Sequence, residues 1–203
     1  ASASNFYEGI SQKEVETFYA GMKKDAKKNK QDTLIAFGLN SKLVKENGKI
    51  VEKVYKLGGL YSPAIEQIIS WLKKAVTVAE TPEQRESIEK LIAFYTTGNL
   101  TTWDEYNIAW VKDLSSLVDF VNGFIEVYGD PMAMKGSWES VVNFKDVEAT
   151  KRTEILSKNA QYFEDNSPVA PEFKKKEVKG VTAKVITVAQ LGGECDPTTP
   201  IGI

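Results

Sequence analysis

The order of patterns along this 203-residue chain predicts an α+β fold, in which helices accompany a small, mostly antiparallel β portion in the form of a sheet or barrel. Three observations carry that expectation. Asn47-Gly48 sits between two short β-branched runs as a hairpin turn, three helical stretches follow one another from Ser62 to Trp110, and strand-like alternation returns in the second half. Strands and helices fall in runs and do not alternate, which argues against a parallel βαβ sheet.

Ser11 and Glu14 form a Ser-x-x-Glu capping box, with Val15, Phe18 and Tyr19 at helical spacing, so a first helix should start near Gln12. Gly21 and the lysine-rich run to Lys30 should end it. That run is read as a solvated surface, because Asp25 and Asp32 interrupt or flank it and no aromatic residues are interleaved. Ser41 to Tyr55 reads as a hairpin, with Asn47-Gly48 supplying the two positive-φ residues of a type I′ turn. Ser62 should cap a helix with Pro63 in its first turn and an apolar stripe of Ile65, Ile68, Ile69, Leu72 and Val76. Thr81-Pro82 should cap the next, burying Ile88, Leu91, Ile92 and Tyr95 before Gly98 stops it. Thr102 and Glu105 suggest a third capping box, leading into Trp103, Tyr106 and Trp110, whose spacing is that of core residues.

Asp119 to Pro131 is the stretch around which the rest is organised. Its alternation suits a strand, with Val121, Gly123, Ile125 and Val127 on one face and Phe120, Asn122, Phe124, Glu126 and Tyr128 on the other. Gly129, Asp130 and Pro131 then stop it, Asp130 being read as a turn residue. Trp138 to Phe144 is a candidate second strand, and Asp146 a candidate cap for a helix carrying Val147, Ile155, Leu156 and Ala160. Ser167-Pro168, Pro171 and Lys174 to Lys176 read as a linker. Val181 to Val188 alternates as a last strand, and Gly192-Gly193, Pro197 and Pro200 read as a closing loop.

Composition excludes several classes. With 42% hydrophobic and 27% charged residues and a formal net charge of -2, the chain lacks the basic excess of a nucleic-acid binder. It has no apolar run long enough to span a membrane. Its Ala-Ser-Ala-Ser start has no initiator Met and no apolar core, and is read as a processed or artificial boundary of a longer parent chain. Cys195 stands alone and cannot form an internal disulfide, which agrees with a reducing, cytoplasmic setting. With no histidine and one cysteine, the chain by itself is expected to hold no catalytic zinc.

The chemistry-bearing residues lie at the end of the organising strand. Glu126 on a face otherwise made of Phe120 and Phe124 costs desolvation unless it meets a cleft or a partner, and Tyr128 two residues on points the same way in a regular strand. A strand-end tyrosine is otherwise an ordinary packing group. Cys195 has Asp196 beside it and no histidine to act as a base, which argues against a catalytic thiol.

Phe-Ile-Glu-Val-Tyr-Gly-Asp-Pro, followed by Trp138-Glu139-Ser140-Val141-Val142, resembles the tyrosine-bearing segment of dipeptidyl peptidase III, a zinc exopeptidase family, closest to its bacterial members. Pro200-Ile201-Gly202-Ile203 resembles the approach to that family's Asn-bearing substrate motif. The resemblance implies that Tyr128 donates a hydrogen bond to the oxyanion formed when zinc-activated water attacks a peptide carbonyl. It also implies that Glu126 holds the substrate's free α-amine, and that Pro200 and Gly202 run beside the substrate backbone. It implies a division of the chain as well: 1–145 as the helical and β portion of a lower lobe, 146–176 as a helix and linker of the upper lobe, and 177–203 as a return strand and loop of the lower lobe. The family's His-Glu-x-x-Gly-His and Glu-Glu-x-Arg-Ala-Asp metal motifs do not occur here.

The expectation is therefore a substrate-binding lobe fragment of a zinc-dependent exopeptidase that releases dipeptides from the N-termini of oligopeptides, inactive alone and partnered by the remainder of its parent chain. The alternative is a self-standing, non-catalytic peptide- or protein-binding domain.

Overall fold

The structure, a computed structural model, describes residues 5–29, 35–179 and 183–196. Pro200 and Gly202 lie outside the described residues.

The first half forms as its sequence signals direct. Strand β1 (Tyr7–Glu8) precedes helix α1 (Gln12–Lys28), which opens on the expected capping box: Ser11 Oγ accepts the Glu14 N–H while the Glu14 carboxylate accepts the Ser11 N–H at 2.9 Å. The helix continues through Gly21 and ends within the lysine run. Strands β2 (Ser41–Glu46) and β3 (Lys49–Val54) form the hairpin, with Asn47 and Gly48 both at positive φ, and β1 adds to β2 in parallel. Val15 and Tyr19 of α1 pack on Leu43 to make a small core.

Three helices form the larger core. Helix α2 (Ser62–Val76) starts at its expected cap, one residue early, with Tyr61 at the N-cap in the left-handed region and no side-chain cap. The Ser62 hydroxyl instead accepts the Gly58 N–H at 2.7 Å, so it secures the preceding turn. Helix α3 (Pro82–Thr97) is capped by Thr81 and closed by Gly98, as expected. Helix α4 (Leu100–Trp110) begins before Thr102, because Asn99 reaches the chain first and its Oδ1 accepts the Thr101 N–H at 2.8 Å. Glu105, freed from a capping role, pairs with Lys90 across α3. Leu91, Phe94 and Tyr95 of α3 are fully buried among Ile65, Ile69, Trp103, Tyr106, Tyr55 and Phe124. Each such apolar side chain contributes roughly 1.5 to 3 kcal/mol of transfer free energy.

The second sheet has the order β4 (Val118–Glu126), β5 (Ser137–Lys145), β6 (Ile186–Gly193), antiparallel throughout. Tyr95 fastens it to the helices, since its hydroxyl donates to Asn122 Oδ1 and accepts the Trp138 indole N–H at 2.8 Å. Tyr55 stacks on Phe124 with ring centroids 5.0 Å apart. Both sheets are small and open. The last strand lies further along the chain than expected. It starts at Ile186 and includes the glycines read as loop, while 181–182 of the expected strand lie outside the described residues.

Asp146 caps helix α5 (Val147–Lys158) as expected, its Oδ1 accepting the Ala149 N–H at 2.8 Å. Ala160 opens a separate short helix, α6 (Ala160–Asp165). Ile155 and Leu156 of α5 and Tyr162 and Phe163 of α6 are exposed. No helix among the described residues is long and apolar enough to cross a membrane.

Candidate functional site

The β4–β5 ladder runs in regular register from Val118 opposite Phe144 to Phe124 opposite Trp138, and then shifts so that Glu126 lies opposite Ser137. Ile125 is the extra residue of a β-bulge. Cross-strand partners share a face and adjacent residues of β5 do not, so the bulge moves Glu126 to the face opposite Phe124. This corrects the expectation that Glu126 continues the face of Phe120 and Phe124. One inserted residue inverts every side chain beyond it.

Tyr128 follows in the turn after the strand, with 82% of its surface exposed. The Glu126 carboxylate beside its hydroxyl raises the phenol's pKa above the usual tyrosine range. The two groups are thus brought together, but by a bulge and a turn and not by strand alternation.

The bulge puts Glu126 on the same sheet face as Glu139, which lies opposite Gly123 on one side and Gly193 on the other. Glu139 is 1% exposed. Its Oε2 accepts the Cys195 Sγ–H at 2.9 Å, whereas Oε1 has no hydrogen-bond partner among the described residues. Gly193 makes this contact possible. Its φ of 64° is in the left-handed region, and a Cβ there would come within 2.1 Å of the Trp138 carbonyl oxygen. The chain turns sharply at that point, the Glu194 N–H donating to Trp138 O at 3.0 Å and the Asp196 N–H to Gly193 O at 3.1 Å, and Cys195 arrives against Glu139. Burial, reinforced by Glu139 and by the fields of Glu126 and Glu194, pushes the Cys195 thiol up to about 12. A thiol so shifted is protonated at neutral pH and is a poor nucleophile.

Glu139 escaped the sequence reading. Its signal was alternation: Glu139, Val141 and Asn143 occupy one inward face of β5 and all three are buried.

The turn that ends β4 is held from inside. Asp130 is buried, and its carboxylate accepts the Met132 N–H at 3.0 Å, the Met134 and Lys135 N–H groups at 2.9 Å each, and the Tyr7 hydroxyl at 2.7 Å. Lys135 has a fully buried side chain whose ammonium donates to the Tyr19 hydroxyl and to Ser41 Oγ at 2.8 Å, with Glu52 at 4.0 Å. Burial lowers its pKa to about 8, partly offset by Glu52 and Asp130. These bonds join the turn after Tyr128 to α1 and the first sheet, giving the exposed tyrosine a rigid base.

The donors present do not fit a zinc site. The chain has no histidine, its one thiol is committed to Glu139, and no group of three or more His, Cys, Asp or Glu side chains among the described residues is arranged to hold a metal ion.

The fold is an α+β lobe in which a half-buried carboxylate, Glu126, stands beside an exposed phenol, Tyr128, at a strand end. The model of Peptidase family M49 matches residues 3–193, and the chain belongs to that family. It is 27% identical over 149 residues to Dipeptidyl peptidase 3 of Dictyostelium discoideum, an alignment that covers 72% of this chain and 21% of that protein. With Dipeptidyl peptidase 3 of Rattus norvegicus the identity is 26% over 117 residues, covering 58% of this chain and 16% of the relative. The solved structure of DPP III from Caldithrix abyssi superposes with a TM-score of 0.74 at 19% identity, covering 94% of this chain and 35% of that one. That likeness establishes the shared fold. The chain spans only about a fifth of the length of these curated relatives.

Proposed function

We propose that this segment is part of the peptide-binding lobe of a zinc-dependent exopeptidase that releases dipeptides from the N-termini of oligopeptides. Glu126 takes the substrate's terminal ammonium, and Tyr128 donates its hydroxyl proton in a hydrogen bond to the oxygen that becomes negatively charged as the peptide bond is attacked. The observation that carries this reading is the pairing of Glu126 with Tyr128 at the exposed end of β4, a phenol still protonated at neutral pH and available as a donor.

A carboxylate that fixes the ammonium a set distance from the reacting carbonyl measures off two residues, which accounts for dipeptide release. The zinc and its ligands belong to the remainder of a longer chain, which is this segment's principal partner. Within that chain, residues 1–145 and 177–203 form the lower lobe and 146–176 the connection to the upper one. The exposed apolar side chains of α5 and α6 support that division, because they need a packing surface. Pro200 and Gly202 line the substrate backbone, and the protein works in the cytoplasm.

The test is a two-by-two calorimetric comparison of free and N-acetylated inhibitor peptides against wild-type and Glu126→Gln forms of the full-length protein that carries this segment. Coupling of about 2 to 4 kcal/mol between the amine and the Glu126 charge is expected. Coupling near zero in a folded variant removes Glu126 from the reading.

A further inference from the structure

The Tyr128 ring is 82% exposed, so packing does little to place it, and the position of its hydroxyl is set through the backbone that carries it. That backbone is a tight turn, in which the Asp130 N–H donates to the Val127 carbonyl at 3.1 Å and encloses Tyr128 and Gly129. Asp130 thus closes the turn with its main chain, and its buried carboxylate decides where the turn sits. The N–H groups of Met132, Met134 and Lys135 that reach this carboxylate belong to the same loop and move with it. The remaining bond is of another kind. Tyr7 of β1 lies 123 positions away, and its hydroxyl donates to Asp130 Oδ2 at 2.7 Å. Strand β1 is itself held, since Tyr7 lies opposite Leu43 of β2 and the Leu43 N–H donates to the Phe6 carbonyl at 2.9 Å. Burial and the Asp130 carboxylate hold the Tyr7 hydroxyl well above the usual tyrosine range, so it stays a donor. Among the described residues, this bond is the link from the Asp130 side chain to the rest of the fold.

We propose that Tyr7 is a positioning residue for Tyr128: through Asp130 it fixes the turn on which the phenol stands, and so sets where that donor meets the developing oxyanion, without touching the substrate itself. The inference rests on the role given to Tyr128 above and adds the residue that aims it. A donor displaced by about 1 Å from a reacting atom can lower the rate on the order of 100-fold, because its stabilisation is realised only in the transition state. Substrate binding is separable from this. Glu126 stands on β4 opposite Ser137, inside the ladder and ahead of the turn, so loosening the turn leaves the ammonium contact in place. Loss of the Tyr7 hydroxyl therefore falls on turnover and spares affinity.

The test is a double-mutant cycle on the full-length protein that carries this segment, as wild type, Tyr7→Phe, Tyr128→Phe and the double variant. Turnover of a dipeptidyl arylamide is measured together with the Kd of an inhibitor peptide. Tyr7→Phe keeps the ring and removes one hydroxyl. The expected result is a fall in turnover of roughly 10-fold with Kd changed less than about twofold, and no further fall when the substitution is added to Tyr128→Phe, where no donor is left to aim. An equal fall in both backgrounds makes Tyr7 a general structural group and overturns the proposal, as does unchanged turnover in folded Tyr7→Phe. If Tyr128→Phe by itself leaves turnover unchanged, the role of Tyr128 falls and that of Tyr7 falls with it. Asp130→Asn, which keeps the size of the side chain and weakens the same bond from its other end, runs through the same cycle if Tyr7→Phe does not fold. It should give the same non-additive pattern, and an additive one overturns the proposal.

Discussion

Cys195 and Glu139 stand 56 positions apart in sequence and meet at 2.9 Å, the thiol donating to a carboxylate that is shut away from water. The contact depends on a single backbone turn. Gly193 adopts φ 64°, and a side chain there would run into the Trp138 carbonyl.

Gly193→Ala should therefore displace the loop. The expected cost is about 1 to 3 kcal/mol of stability from the left-handed backbone and the overlap with Trp138. Cys195 should then react faster with an alkylating reagent, because it loses both its cover and its carboxylate neighbour. Mass-spectrometric labelling of the native protein checks this, and an unchanged labelling rate would separate the loop's position from the glycine.

Lys135 predicts a pH dependence of stability. Its folded pKa is lowered by burial to about 8, against 10.5 for the unperturbed side chain. Between these values the unfolded chain binds more protons than the folded one, so this group's contribution to stability rises with pH; below pH 8 both states are protonated and the full cost of burying the charge is present. Urea unfolding at about pH 7.5 and about pH 9.5 should show the wild type gaining on the order of 2 kcal/mol relative to Lys135→Met. The window closes near pH 10, where Tyr7 and Tyr19, whose pKa values are raised by burial, begin to act with the opposite sign. Parallel pH profiles for the two proteins would refute the assignment.

Tyr128→Phe in the full-length protein removes one hydroxyl from an exposed ring and leaves the base formed by Asp130 and Lys135 intact. Turnover should fall roughly 100-fold, with little change in substrate binding, as expected of a donor to a developing oxyanion. Steady-state kinetics distinguish this from a packing role, for which turnover would be unchanged.

Local signals in the sequence determined most of the elements. The box of Ser11 and Glu14, the Asn47-Gly48 turn, the Thr81 and Asp146 caps and the Gly98 stop act over a few residues, through bonds between side chain and backbone that need no distant partner. The Glu126–Tyr128 pair was legible for the same reason, since two residues so near in sequence stay near in space. Tertiary structure decided what depends on competition or register. Asn99 displaced Thr102 as the cap of α4 because both could serve and one lay earlier. The bulge at Ile125 is set by how β4 docks on β5, and it alone decides which face Glu126 occupies. Glu139, Cys195, Asp130 and Lys135 looked like ordinary strand, loop and turn residues; the contacts of Glu139 with Cys195, of Asp130 with Tyr7 and of Lys135 with Tyr19 join positions 56 to 123 apart, beyond the reach of any local pattern.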